Sequence, residues 1–241
     1  MVAQFGADST RVYSLFATSP DRELDWQEAG VEGVHRFLSR TYRFVMRHAD
    51  VARKHVPGWT HATPPASSPK VRAVERKLHQ TIQRVTQDFQ GRWHFNTSIA
   101  AIMEFVNELY GAEAELATEA YASRLGDALQ SLVLLLVPFA PFLAYELWEA
   151  ISPEGRDDAN LNLIRHRWPD FNPALAKEDE ITYAVQINGK LRSHVVLPAE
   201  SPEDTVREHV LADEKVRAAI ADKQVAKVIV VPGKLVNVVV K

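Results

Sequence analysis

The sequence predicts a mainly α protein: a helical bundle followed by a small α+β domain of order β-β-α-α-β-β. Three observations carry this. Leu125–Val137 is apolar nearly all round (Leu129, Leu132, Val133, Leu135, Leu136, Val137), as a helix covered on most sides at the centre of a bundle must be. Val71, Val74, Leu78, Ile82, Val85 and Phe89 recur every three or four residues, the seam of a packed helix. After Glu180 the apolar period shortens to two, the period of strands.

In chain order, Gln4–Phe16 reads as a short helix with Asp8 near its N-terminus, ended by Thr18-Ser19-Pro20. An acidic connector leads to a long helix from Gln27 to about His48, with Val31, Val34, Leu38, Thr41 or Tyr42, and Val45 on its buried side. Asp50–Pro69, rich in Pro, His, Ser and Thr, reads as an exposed loop. Its histidines and His48 match no metal-ligand spacing, so no metal site is expected. Lys70–Phe89 is the second long helix. Asn96 or Thr97 can cap the next, which carries Ile99, Ile102, Met103, Val106 and Leu109. A further helix starts near Ala114 and runs into the apolar stretch. Pro138 and Pro141 break it, and Phe142–Ile151 restarts with Leu143, Leu147 and Ile151 on one side. The uninterrupted apolar run is well short of the ~20 residues that span a bilayer.

Residues 1–169 are therefore assigned to the bundle, 170–180 to a polar linker and 181–241 to the tail domain. In the tail, Asn188-Gly189 between alternating runs marks a hairpin. Ser201-Pro202 starts a helix, with the hydroxyl as cap and the proline at the first helical position, and Asp213 caps a further turn or two. Val225–Val231 and Lys234–Val240 form a second hairpin about Pro232-Gly233.

Hydrophobic and charged contents of 46% and 24% are those of an ordinary globular protein. With no cysteine there are no disulfides and no thiolate chemistry, which fits a reducing compartment. No basic-then-apolar stretch follows Met1, so the expected location is cytoplasmic. The net charge of −3 hides an asymmetry. His35–Trp93 holds twelve Lys and Arg against Asp50, Glu75 and Asp88, whereas Met1–Val34 holds Arg11 and Arg22 against six acids. A basic block in an acidic chain points to a polyanionic partner. Within it Arg36, Arg40, Arg43 and Arg47 step by four, three and four along one helix, and Arg72 and Arg76 lie off the seam of the next. Guanidinium forks of this kind suit phosphate oxygens. Lys190, Arg192, Lys227 and Lys234, near the tail hairpins, offer a weaker phosphate contact. No G-x-S-x-G, H-E-x-x-H or G-x-x-x-x-G-K-[ST] string occurs, so no catalytic or cofactor-binding residue is expected.

Several strings resemble one family. Phe5-Gly6-Ala7-Asp8 with Arg11, Trp26-Gln27-Glu28-Ala29-Gly30-Val31-Glu32-Gly33, Arg36-Phe37-Leu38-Ser39-Arg40, Phe95-Asn96-Thr97-Ser98-Ile99-Ala100 and Pro138-Phe139-Ala140-Pro141 with Glu146-Leu147-Trp148 are similar to the anticodon-binding-type helical domain of bacterial leucyl-tRNA synthetases. These strings alone also suit the valyl, isoleucyl and methionyl relatives. Val185–Arg192 and Lys227–Asn237 resemble the C-terminal domain of the leucyl enzymes specifically. Two positions depart from the pattern: the family often has histidine at the place of Phe142 and glutamate at that of Tyr145.

The resemblance implies the C-terminal part of such an enzyme, beginning just downstream of where its KMSKS loop would lie, and inactive in aminoacylation by itself. The whole enzyme would use ATP and Mg²⁺ to esterify leucine to tRNA(Leu). This part would hold the tRNA backbone, acting as a monomer beside the missing catalytic and editing domains, and Arg36 and Arg40 are the matching family positions. The alternatives are a free-standing RNA-binding or assembly module acting in trans, the equivalent part of a valyl- or isoleucyl-type enzyme, and a purely structural helical scaffold.

Overall fold

The computed structural model describes residues 1–18, 23–24, 26–54, 68–152, 163–221 and 223–241. They form two compact units, Met1–Ala176 and Lys177–Lys241. The mainly α reading holds, with the small α+β domain at the end.

In the first unit, α1 (Val2–Ala17), kinked at Gly6, packs on α2 (Glu28–Arg47). Gly30 makes that packing close: a Cβ there would lie 2.4 Å from the Tyr13 ring, whose hydroxyl accepts the Gln27 N–H at 2.9 Å. α3 (Ala49–Lys54) follows at once, so the start of the region expected to be a loop is helical; His55 and His61 lie outside the described residues. α4 (Pro69–Gln87) is capped by the Ser68 hydroxyl, which accepts the Val71 N–H. A π-turn over Asp88–Arg92 leads to α5 (Phe95–Gly111). Asn96 and Thr97 therefore sit inside α5 rather than capping it, because Thr97 and Ser98 donate instead to the buried Asp88 carboxylate.

The helix expected to start near Ala114 is broken into α6 (Glu113–Leu116), a 3₁₀ turn at Glu119–Tyr121 and α7 (Ala122–Leu136). α7 is the apolar helix, and nearly every residue from Leu125 to Leu136 is buried. The proline corner re-aims the chain into α8 (Pro141–Ile151), and the Leu143 N–H at its start is bound by Asp8 at 2.7 Å. Asp8 thus caps a helix 135 residues away, not its own. Burial pushes the Asp127 carboxyl, on α7, up to about 6.

Residues 163–176, including the short α9 (Pro173–Ala176), lie along α4. Trp168 donates to Thr86, the Asn172 N–H to His79 Nδ1, Arg72 to the Leu175 carbonyl and Gln80 to the Ala176 carbonyl, at 2.9 to 3.1 Å. Residues 170–176, read from sequence as linker, thus pack within the first unit.

The second unit runs β1 (Glu180–Ile187), β2 (Lys190–Pro198), α10 (Glu203–Ala212), α11 (Glu214–Ile220), β3 (Val225–Val231) and β4 (Leu235–Val240). The strand order is β2-β1-β4-β3, with β1 and β4 parallel and both hairpins antiparallel. Asn188 and Gly189 both have positive φ (48° and 80°), the backbone of a tight hairpin turn. The helices cover the face bearing Tyr183, Val185, Val236 and Val238. Asp213 caps α11 as expected, through the Val216 N–H, whereas Pro202 rather than Ser201 occupies the cap of α10.

Candidate nucleic-acid interface

The arginine row lies on one side of α2, with neighbours three or four residues apart, so Arg36 and Arg47 are separated by about 16 Å along the axis. Alternation of apolar and cationic positions folds it that way: Val34, Leu38, Thr41 and Val45 turn inward and carry the arginines outward. α5 lies between α2 and α4 and supplies most of the row's supports.

Arg36 pairs with Glu32 one turn back at 2.7 Å, both side chains being mostly exposed. Arg40 is anchored from two sides. Its guanidinium lies 4.7 Å from the centre of the Tyr110 ring and donates to Asn107 at 3.1 Å, while the Tyr110 hydroxyl donates to the Arg40 carbonyl at 2.9 Å. Arg43 is exposed and meets no hydrogen-bond or ion-pair partner among the described residues. Arg47 reaches Glu113 at 2.5 Å, and the same carboxylate oxygen is 2.9 Å from Nε2 of the buried His48. Burial alone would raise the Glu113 carboxyl, but the hydrogen bonds from His48 and Arg47 and the Arg47 charge hold it below the usual range. In return, the hydrogen bond to Glu113 and the Glu113 negative charge raise Arg47.

Arg72 and Arg76 do not join this row. They stand on α4, across α5, and Arg72 is engaged by the Leu175 carbonyl. In the second unit Lys190 and Arg192 are exposed on edge strand β2, Lys227 on the opposite edge strand β3, and Lys234 in the β3–β4 turn. Two strands, hence three inter-strand spacings, lie between those edges, so Arg192 and Lys227 are about 14 Å apart across the sheet. Because β1 and β4 are parallel, the two hairpins project from opposite ends of the pair, and the tail cations do not converge. Asn107, Tyr110 and Glu113 escaped the reading of the sequence. Their spacing of three and three down α5 into α6 runs beside the seven-residue step from Arg40 to Arg47, and that match was the available signal.

A helical unit with four arginines along one side of α2, followed in the chain by a small cation-bearing sheet domain, is an arrangement suited to a polyanion. Residues 72–207 match the family model described as the anticodon-binding domain of tRNA ligase, and the chain belongs to that family. It is 43% identical over 238 residues to the leucine–tRNA ligase of Solibacter usitatus, covering 99% of this chain and 27% of that protein. The ligase of Desulfatibacillum aliphaticivorans is 39% identical over 240 residues, covering 100% and 27%. Among solved structures, the ternary complex of Agrobacterium radiobacter K84 agnB2 LeuRS with tRNA and LeuAMS superposes with a TM-score of 0.76 at 31% identity, over 100% of this chain and 29% of that one. The chain thus spans little more than a quarter of the length of these relatives.

Proposed function

We propose that this chain is the tRNA-binding portion of a leucine–tRNA ligase, holding and orienting tRNA(Leu) for leucylation by catalytic residues elsewhere in the enzyme. The α2 file of Arg36, Arg40, Arg43 and Arg47 carries the reading, and the ligase identity of the relatives supports it. A phosphate group competes easily with the carboxylates already present. Exposed ion pairs such as Arg36–Glu32 contribute only about 0–1 kcal/mol, and a guanidinium has five donors. Arg40 uses one of them on Asn107, and its stacking on Tyr110 fixes the plane of the rest. Contacts of this kind set register on a backbone without reading sequence. ATP and Mg²⁺, needed by such a ligase, are proposed to bind outside these residues.

Filter binding of a tRNA(Leu) transcript over a range of salt concentrations tests this. Affinity should fall with salt at a slope of roughly 0.7–0.9 per phosphate neutralised. Replacing both Arg36 and Arg40 with Ala should flatten that slope by one to two such units and weaken binding about tenfold or more. Binding that is undetectable or indifferent to salt overturns the reading.

A further inference from the structure

The turn between α4 and α5 has features that the α2 file does not use. Asp88 is completely buried there, and its carboxylate accepts from Thr97 at 2.6 Å and Ser98 at 2.8 Å, while its carbonyl accepts the Trp93 N–H at 2.9 Å. These bonds hold Trp93 at φ 53°, a left-handed backbone that a bulky residue adopts only when its surroundings impose it. The result is an indole 61% exposed, beside Phe89 at 42%. Phe89 was expected in the α4 seam, but the π-turn carries it out of that seam. Phe95 lies 5.0 Å from Phe89 and 5.7 Å from Trp93, centre to centre, and Phe139 is behind it. The rings thus form a supported platform. An exposed aromatic cluster of this kind on a surface is a candidate contact site.

The surroundings indicate what it contacts. A groove of about 300 Å³ runs between α4 and α5 to Gln87, the last residue before the turn, and is lined by Lys77, Gln80, Gln83, Arg84 and Glu104. Arg84 is exposed and has no hydrogen-bond or ion-pair partner among the described residues. From Pro69 to His94 six Lys and Arg face only two acids. Of these acids, Asp88 is buried and Glu75 is held by Arg124 at 3.0 Å. Lys77 is paired with Glu104 across the groove, which leaves Arg84 and the glutamine amides, with an exposed indole beyond the end of α4, to meet a strand's phosphate and base.

We propose that the α4–α5 turn is a second RNA contact, in which Trp93 stacks on an unstacked nucleobase while Arg84 and the neighbouring glutamine amides hold the adjoining phosphate. This rests on the reading that the chain binds tRNA. The test is tRNA(Leu) transcript binding by the full chain carrying Trp93→Ala, Trp93→Phe, Trp93→Leu or Arg84→Ala. Base–aromatic stacking predicts that Trp93→Ala and Trp93→Leu weaken binding roughly 5- to 100-fold with an unchanged salt slope, and that Trp93→Phe stays within about threefold of the parent. Arg84→Ala should flatten the slope by about one phosphate equivalent. If the parent chain binds and Trp93→Ala binds equally well, the turn is not an RNA contact, and the proposed function stands without it. If Phe and Leu at this position behave alike, the side chain does not stack on a base, and the inference fails. If the parent chain does not bind, the proposed function and this inference both fail.

Discussion

The α2 row of the first unit and the sheet of the second each carry four candidate cations and support them in opposite ways. In the first, Arg40 is clamped by Tyr110 and Asn107, and Arg47 is tied to Glu113, so α5 and α6 fix where these two guanidiniums point. In the second, Lys190, Arg192, Lys227 and Lys234 stand on strand edges and turns with no ion-pair partner among the described residues. A pre-oriented donor loses little freedom when it binds, whereas a free lysine stem loses much of its rotamer entropy. Equal charge therefore does not mean equal contribution, and binding energy should be concentrated in the bundle. The hydrophobic cores differ in the same sense. The bundle wraps α7 on nearly every side, while the tail closes one face of a four-stranded sheet.

The largest expected effect tests whether the two cores are separate. Leu132→Ala, at the fully buried centre of α7, should destabilise the first unit by about 2–5 kcal/mol. Val238→Ala should destabilise the second by about 1–3 kcal/mol. Differential scanning calorimetry should resolve two transitions, each moved by only one of these substitutions. A single transition lowered by both would show the units to be energetically one.

Next is Asp127, a charge problem inside the apolar helix. The folded chain keeps its proton up to about pH 6, whereas an unfolded chain releases it near 3.9. Between those values the folded state binds more protons, so its stability falls as pH rises. Above pH 6 the charged, partly buried carboxylate costs about 1–2 kcal/mol once its remaining exposure is allowed for. Asp127→Asn should raise the melting temperature of the first unit by roughly 2–8 °C at pH 7.5. The gain should nearly vanish at pH 4. An equal gain at both pH values would show that burial of the charge is not the cause.

What the sequence made legible follows from how local each signal is. The apolar run of α7, the seam of α4 and the Asn188-Gly189 turn are written in short windows, and each appears where the pattern puts it. The caps were legible only where they act locally. Asp213 binds its own helix, but Asp8 binds α8 and Asp88 binds into α5, and no window contains both partners. The π-turn that exposes Phe89 depends on that same Asp88 pairing, so periodicity alone placed Phe89 inside. The arginine file was visible as spacing on α2, whereas its counter-charge Glu113 and its clamp Tyr110 are more than sixty residues away in the chain. Residues 170–176 read as linker because they are polar and short of apolar periodicity. Their bonds to α4 run through backbone groups, which leave no mark on the sequence.

The smallest effect is expected in the tail. Lys190 and Lys234 sit at hairpins that project from opposite ends of the parallel β1–β4 pair, so one phosphate ribbon crossing the sheet meets one end before the other. Each ammonium is a point charge on a mobile stem, without the fork that binds two oxygens at once. Lys190→Ala and Lys234→Ala should each weaken tRNA(Leu) transcript binding no more than about threefold and flatten the salt slope by less than one phosphate equivalent. Reversing both charges, as Lys190→Glu with Lys234→Glu, adds repulsion yet should still cost less than replacing Arg36 and Arg40 with Ala. A larger loss from the tail pair would place the main grip on the sheet domain. The clamped guanidiniums of α2 would then be surface ion pairs that hold α5 in place rather than contacts that hold RNA.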